Sequence, residues 1–211
     1  GVQIVSLPIG GLTIGSSGMS LVITVLAIIL VMNAVNFIDG LDGLVAGVAI
    51  IANGVFFLYT YLLSSRISPT DYFNLAALIT AVLIGACVGF LPLNWHPAKL
   101  FMGDAGSMLV GLLMATSAIA VTGQIDPAAV GRSQLLPAFI PILLPFAILI
   151  LPLLDFGLAM FRRLRVGKSP FSADRKHLHH RLLDMGHSHF HAVLILYAWT
   201  AVASVGCLLF F

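Results

Sequence analysis

The stretch LVITVLAIILVM, residues 21–32, runs without a break into NAVNFIDGLDGLVAG, residues 33–47. The first part is uniformly apolar, and a helix that spans a membrane needs about 20 such residues. The second part places two asparagines and two aspartates directly at its end. Because charged groups are costly inside a bilayer, this junction predicts a helix that crosses a membrane and ends at a polar surface.

The composition of the whole chain extends this interpretation. Of its 211 residues, 60% are hydrophobic and only 9% are charged, and the mean hydropathy is +1.09. Soluble domains carry about a quarter charged residues, so most of this protein's surface faces something other than water. We therefore expect an integral membrane protein, and we expect no nucleic-acid partner.

Six apolar stretches are long enough to span a bilayer, at roughly 19–37, 44–63, 74–92, 106–122, 135–161 and 191–211. They predict an all-α, polytopic transmembrane bundle that forms one membrane-embedded domain over 1–211. The fifth stretch contains four prolines, which predict a kinked or broken helix. Residues 1–15 hold short apolar runs around proline and glycine, and we expect a small hairpin there on the outer surface.

The basic residues set the orientation of this bundle. Seven of the ten lysines and arginines lie in the loop at 162–190, which the positive-inside rule places in the cytoplasm. Alternation of the helices then puts 38–43 and 93–105 on the same face. We therefore expect three polar clusters from distant parts of the chain to meet at one membrane surface.

The first cluster is Asn33, Asn36, Asp39 and Asp42, each three residues from the next. On a helix this spacing keeps neighbouring side chains on roughly one face. Carboxylate and amide oxygens suit Mg²⁺, which takes one or two carboxylates together with phosphate oxygens. The alternative is a polar helix end, with aspartates near the start of the next helix, where the helix dipole stabilises their negative charge. Four polar residues in register beside an apolar run favour a functional site.

The second cluster is HPAKLFMGDAGSMLVG, residues 96–111, in which 103–107 open the fourth predicted helix. Free N–H groups at a helix start attract phosphate. Asp104 would repel phosphate unless a cation bridged them, so it is either a metal ligand or an N-cap. Lys99 is either a phosphate contact or, by default, a positive-inside anchor.

The third cluster is SPFSADRKHLHHRLLDMGHSHFH, residues 169–191, which holds six of the seven histidines. A zinc site is disfavoured because the spacing lacks a closed ligand set and both cysteines lie elsewhere. A loop rich in arginine and histidine suits a polyanion better. We interpret the compact HLHH group as ligand-binding and the remaining three histidines as solvated residues near lipid headgroups; these three are His187, His189 and His191.

Asp155 lies within the fifth predicted helix, where an ionisable residue is a functional candidate by default. A structural ion pair with a neighbouring residue would explain it equally well. A transporter or metal carrier that uses Asp155 and the His-rich loop is therefore the alternative function. The gathering of polar groups at one surface disfavours it, because a transport path more often strings them through the bilayer. A non-catalytic scaffold would leave the three clusters without a purpose.

Taken together and in this order, NAVNFIDGLDGLVAG, FMGDAGS and SPFSADRKHLHHRLLDMG resemble the signatures of the polyprenyl-phosphate N-acetylhexosamine-1-phosphate transferases of glycosyltransferase family 4. The HLHH form is more similar to the branch that uses UDP-N-acetylglucosamine than to the UDP-MurNAc-pentapeptide branch. The resemblance implies attack of a polyprenyl phosphate on the β-phosphorus of UDP-GlcNAc, with UMP leaving. It also implies a site on the cytoplasmic face of a bacterial plasma membrane, Mg²⁺ as cofactor with Mn²⁺ as a substitute, and allows a homodimer.

The resemblance further assigns roles by motif. It implies catalytic roles for Asp39, Asp42, Asp104 and His179, and metal binding by Asp104 and Asn36. It implies substrate binding by a further set, Asn33, Asn36, Lys99, Arg175, His177 and His180. Members of this family carry an aspartate pair, DD, on an earlier cytoplasmic loop, and this sequence contains no such pair. The resemblance also implies about ten or eleven helices, whereas this sequence predicts six. We therefore expect 1–211 to be the second half of a longer protein and to be inactive alone.

Overall fold

The computed structural model describes residues 3–4, 6–7, 12–13, 16–67, 71–122, 161, 164–165, 167 and 182–209. Within these residues the long elements are all helices: α1 (Ser17–Ile38), α2 (Leu44–Ile67), α3 (Asp71–Asn94), α4 (Gly103–Thr122) and α5 (His189–Leu209). Each coincides with a stretch predicted to span the membrane, so five of the six predicted helices are confirmed. The stretch at 135–161, with Asp155, lies outside the described residues.

Four of the five helices begin two or three residues before the predicted start. Their first turns contain polar or small residues such as Ser17, Asp71, Gly103 and His189. Hydropathy does not detect such residues, although they are suited to a helix start because they lie beside free N–H groups. Ser16 shows this directly, since its side chain accepts a hydrogen bond from the Met19 N–H and caps α1.

The five helices are long and apolar enough to cross a membrane, and the protein is a multi-pass helical membrane protein. They lie side by side in the order α1, α4, α3, α2, α5, because α1 contacts α4, α4 contacts α3, α3 contacts α2 and α2 contacts α5. The end of α1, the start of α2, the end of α3 and the starts of α4 and α5 therefore meet at one end of the bundle.

Burial along α1 is uneven, and this unevenness positions the site. Its N-terminal half exposes large apolar side chains, including Leu21, Val22, Val25, Leu26 and Ile29. In a bilayer these side chains face lipid, which is as apolar as they are. Its C-terminal turns are buried at Val31, Ala34, Val35 and Ile38, so α1 is held most firmly where its polar residues begin.

Helix α2 has neighbours on both sides and forms the centre of the described core. Ala46, Ala49 and Ala52 are at most 1% exposed, and Tyr59 is fully buried. Small residues at intervals of three let neighbouring helix backbones approach closely, and the resulting van der Waals packing helps to hold helices together in lipid. Near the start of α2, a Cβ atom on Gly47 would clash with the ring and hydroxyl of Tyr197 from α5.

Two short strands precede the helices, β1 (Ser6–Leu7) and β2 (Leu12–Thr13), and they pair antiparallel. They lie in the region where the sequence predicts a hairpin. The segment is tied to α1 by two hydrogen bonds at Ile4: its N–H donates to the Thr24 hydroxyl at 3.0 Å, and its carbonyl accepts from the Ser20 hydroxyl at 2.6 Å.

Candidate functional site

The polar residues at the shared end of the bundle form two groups. The first group joins α1 to α4 and consists of Asn36, Asp39, Asp104 and Ser107; we call it the oxygen cluster. Asn36 Nδ2 donates to Asp104 Oδ1 at 3.1 Å and to Ser107 Oγ at 2.9 Å. Ser107 is fully buried and donates in turn to the Gly103 carbonyl at 3.0 Å. The amide of Asn36 thus fixes the position of the Asp104 carboxylate.

A glycine makes this close contact between α1 and α4 possible. A Cβ atom on Gly111 would lie 2.7 Å from Met32 Cα and 3.1 Å from the Val31 carbonyl oxygen, which are backbone atoms of α1. Met32 lies one turn before Asn36, and Gly111 lies one turn after Ser107. The absence of a side chain at Gly111 therefore sets the helix separation at which Asn36 reaches α4.

Asp39 carries an unfavourable charge in this position. It is the C-terminal cap of α1, where the negative end of that helix's dipole disfavours a carboxylate. Burial raises the pKa of the Asp39 carboxyl, and the nearby Asp104 carboxylate raises it further. A partly buried carboxylate whose ionisation a neighbouring carboxylate disfavours forms a site that a cation would stabilise.

Asp104 lies inside the first turn of α4, which begins one residue earlier at Gly103. The alternative interpretation of Asp104 as the N-cap of this helix is therefore wrong. The carboxylate is exposed at the surface, hydrogen-bonded from Asn36, and lies at the positive end of the α4 dipole. This position leaves the Asp104 carboxylate accessible to a ligand that approaches from the aqueous phase.

The second group consists of Asp42, His96 and His189, and we call it the imidazole cluster. His96 Nδ1 lies 2.8 Å from Asp42 Oδ2, and the Ala98 N–H donates to the same oxygen at 3.2 Å. The rings of His96 and His189 are stacked, with centroids 4.2 Å apart and an angle of 14° between their planes. The cluster thus joins the α1–α2 loop, the α3–α4 loop and the start of α5.

The environment of Asp42 keeps it ionised. Partial burial pushes the pKa of Asp42 upward, but the hydrogen bonds from His96 and the Ala98 N–H outweigh it and hold the pKa below its usual range. Asp39 and Asp42 are only three residues apart, and their pKa values are moved in opposite directions. Two neighbouring carboxylates in contrasting environments are suited to different tasks.

A hydrogen-bonded brace holds the loop that carries Asp42. The Gly43 N–H donates to Asn94 Oδ1 at 2.9 Å, and Asn94 Nδ2 donates to the Leu100 carbonyl at 2.9 Å. The Gly43 carbonyl accepts from the Tyr197 hydroxyl at 2.5 Å. Gly43 has φ of +79°, a conformation that other residues rarely adopt, so glycine is required at this turn.

The structure thus brings Asn36 and Asp104 into direct contact and places Asp39 beside them. Asn33 does not join the oxygen cluster, because its side chain is exposed and donates to the Ile29 carbonyl of its own helix at 2.8 Å. Lys99 is exposed on the α3–α4 loop and forms no ion pair with any residue that the structure describes. The predicted residues of the HLHH group and its neighbour lie outside the described residues; these are Arg175, His177, His179 and His180.

Sequence reasoning missed four residues that the site uses: Asn94, His96, Ser107 and His189. The interpretation of His189 as a solvated residue is wrong, because it is half-buried and stacked on His96. His187 and His191 are exposed, as expected. The signal for His96 was its place in a polar loop that the topology puts on the same face as Asp42. No sequence signal distinguishes His189 from its two neighbouring histidines.

Comparison with known proteins supplies independent information. The sequence model of the family described as "Glycosyl transferase family 4" matches residues 1–122, which contain both the oxygen cluster and two members of the imidazole cluster. The match is longer than half of the chain.

Three relatives illustrate the similarity. A decaprenyl-phosphate N-acetylglucosaminephosphotransferase of Mycobacterium tuberculosis is 49% identical over 130 residues, which are 62% of this chain and 32% of the relative. A probable undecaprenyl-phosphate N-acetylglucosaminyl 1-phosphate transferase of Bacillus subtilis is 35% identical over 62% of this chain and 33% of its own length. An Escherichia coli undecaprenyl-phosphate alpha-N-acetylglucosaminyl 1-phosphate transferase is 36% identical over 60% of this chain and 33% of its own length. The matched region therefore spans about a third of each relative.

Proposed function

Because this chain belongs to glycosyl transferase family 4, we propose that its protein transfers N-acetylglucosamine-1-phosphate from UDP-GlcNAc to a polyprenyl phosphate in a bacterial plasma membrane. The relatives' names supply the acceptor and the sugar, and the basic loop at 162–190 supports a cytoplasmic active site. The observation that carries the proposal is the contact between Asn36 and Asp104, which builds a polar site at the membrane surface from two family motifs.

The proposed reaction breaks one bond and forms one. An oxygen of the lipid phosphate attacks the β-phosphorus of UDP-GlcNAc, and the bond from that phosphorus to the bridging oxygen of UMP breaks. UMP leaves with the electron pair, and a lipid-diphosphate-sugar remains in the membrane. Such transfers depend on positioning and on neutralising charge, and require little covalent chemistry from the protein. A site at the end of the helices lets a lipid phosphate meet a soluble nucleotide.

The oxygen cluster fits a magnesium ion by the chemistry of its donors. Asp39 and Asp104 are two neighbouring carboxylates, the second of which raises the pKa of the first, and Mg²⁺ commonly binds to one or two carboxylates. Bound there, Mg²⁺ would neutralise the charge of the diphosphate. Asn36 acts mainly by holding Asp104, because its amide nitrogen faces that carboxylate. Its role as a direct ligand through its amide oxygen stays a prediction, as does replacement of Mg²⁺ by Mn²⁺.

The neighbouring cluster supports nucleotide binding. Asp42 is ionised and uses Oδ2 for both of its hydrogen bonds from His96 and Ala98. Its other oxygen is therefore oriented and able to accept a hydrogen bond from a substrate N–H or O–H. Lys99 on the same loop is a cation within the same polar surface. We assign the diphosphate and sugar contacts to the HLHH group and its neighbour as part of this proposal: Arg175, His177, His179 and His180.

The relatives do not favour the transporter alternative, since all three carry transferase names. The oxygen cluster and the imidazole cluster also lie at the same end of the helices. The predicted homodimer stays a prediction.

The test is binding of nucleotide to the full-length protein in detergent. With Mg²⁺ present, UDP at about 100 times its dissociation constant stabilises a binding protein by ~2.7 kcal/mol. This stabilisation is measured as a rise in the melting temperature of the protein. We expect this shift in the wild type and in Asp184→Asn, whose side chain is exposed and outside both clusters. We expect a much smaller shift in Asp42→Asn. No shift in the wild type contradicts the proposal.

A further inference from the structure

The imidazole cluster brings together three metal-binding side chains from three separate segments. Asp42 lies on the α1–α2 loop, His96 on the α3–α4 loop, and His189 is the first residue of α5. One donor atom of each lies within 4.8 Å of the donor atoms of the other two. We propose that these three residues bind a transition-metal ion such as Zn²⁺, at a position separate from the magnesium site of the oxygen cluster.

The donor chemistry selects this class of ion. Two imidazoles and one carboxylate form a ligand set that zinc enzymes use, with a fourth position left for water or substrate. Imidazole suits Zn²⁺, Cu²⁺ and Ni²⁺, whereas Mg²⁺ prefers oxygen donors alone. The two clusters at this end of the bundle therefore suit different metals. The oxygen cluster suits Mg²⁺, and the imidazole cluster suits Zn²⁺ or a similar transition metal.

An orphaned atom supports the site independently. The Nε2 atom of His189 is buried and forms no hydrogen bond with any described residue. A buried polar atom without a partner destabilises the fold, so such an atom in a protein interior calls for an explanation. A metal ion bound to Nε2 would supply the partner that this nitrogen lacks, beside the His96 ring on which His189 stacks.

Metal binding requires a modest rearrangement of the cluster. Zinc bonds to nitrogen and oxygen are about 2.0–2.2 Å long, so the donor atoms must move together by roughly 1 Å or more. A metal ion lies in the plane of an imidazole that it binds, so the near-parallel rings must also turn relative to each other. The His96 side chain is 50% exposed and has room to rotate. The ion would replace the hydrogen bond that now joins His96 to Asp42.

The inference has a functional consequence. A transition metal bound to Asp42 would withdraw negative charge from the carboxylate that we propose accepts a hydrogen bond from the nucleotide, so zinc would weaken nucleotide binding. This consequence rests on the proposed function, whereas binding of the metal itself does not.

The experiment titrates Zn²⁺ into chelator-stripped full-length protein without nucleotide, in competition with a fluorescent chelator. Co²⁺ absorption reports the ligand set. Loss of a residue that only supports a metal ligand weakens binding by about 10- to 100-fold, so loss of a ligand should cost at least tenfold. We expect this loss in His96→Gln and in His189→Gln. His187→Gln is the matched control, since it is an exposed histidine of the same segment and outside the cluster.

Melting temperatures of the variants establish that they are folded, and two independent ligand variants keep the test decisive if one of them is not. Zinc bound at wild-type affinity by His189→Gln overturns the inference, whether the ion is held by the HLHH group or elsewhere. Absence of zinc binding to the wild type also overturns it. Neither result bears on nucleotide binding, which is measured separately in the presence of Mg²⁺.

Discussion

Replacement of Gly111 by alanine tests the contact between α1 and α4 on which the oxygen cluster depends. The new Cβ would lie 2.7 Å from Met32 Cα, whereas carbon atoms in ordinary contact are about 3.5–4.0 Å apart. The helices must therefore separate by roughly 0.8 Å. Overpacking of this kind costs about 1–3 kcal/mol. We therefore expect Gly111→Ala to melt at a lower temperature than the wild type.

The same displacement should disable the site. The hydrogen bonds from Asn36 to Asp104 and to Ser107 are now 3.1 and 2.9 Å long. An added ~0.8 Å stretches them to about 3.7–3.9 Å, which is beyond hydrogen-bonding distance. Gly111→Ala should therefore also lose the stabilisation that Mg²⁺ and UDP-GlcNAc together give to the wild type.

The assay is thermal unfolding of purified full-length protein in detergent, with and without Mg²⁺ and UDP-GlcNAc. Gly89→Ala is the control, because a Cβ at Gly89 on α3 meets nothing within 4 Å. That variant should be more stable by about 0.5–1 kcal/mol, since alanine favours a helix over glycine. A Gly111→Ala protein that melts at or above the wild type, with its ligand response intact, would refute the account of how α4 is positioned.

Two further substitutions test the charge and the brace of the site. Burial and the Asp104 carboxylate raise the pKa of Asp39 above its unfolded-state value. At pH values above the unfolded-state pKa, ionisation of Asp39 therefore lowers the free energy of unfolding, and this loss is recovered as the pH falls. Asp39→Asn should therefore raise the melting temperature at neutral pH in EDTA and lower the response to Mg²⁺; an unchanged Mg²⁺ response contradicts this. Tyr197→Phe removes the hydroxyl that donates to the Gly43 carbonyl, so it should lower the free energy of unfolding by about 1 kcal/mol. The same thermal unfolding assay measures this loss, and a variant as stable as the wild type would contradict it.

The spanning helices could be predicted from the sequence because long apolar runs leave few alternatives in a membrane. The loop between α1 and α2 was also placed correctly relative to the one between α3 and α4, since alternation of helices determines which ends share a face. Helix starts were less predictable. They depend on capping and on the first turn, as at Ser16 and His189, and hydropathy does not detect these residues.

The composition of the site was only partly predictable, for a physical reason. Asn36, Asp39 and Asp104 stand out because polar residues are rare beside membrane helices, and the structure places them together. His189 has the same local sequence character as His187, and only its packing against the α3–α4 loop distinguishes it. Ser107 is buried because α1 packs closely against α4. That close packing depends on Gly111, which lies one helical turn further along α4.

The most direct test of the account is release of UMP from UDP-GlcNAc by full-length wild type and Asp104→Asn, with polyprenyl phosphate and Mg²⁺ supplied. Asparagine has the same shape and can still accept the hydrogen bond from Asn36, so the variant should fold normally. Loss of a group that stabilises transition-state charge commonly costs about a hundredfold or more. We predict Mg²⁺-dependent release by the wild type and a loss of that size in the variant. Equal rates in the two proteins would contradict the central claim.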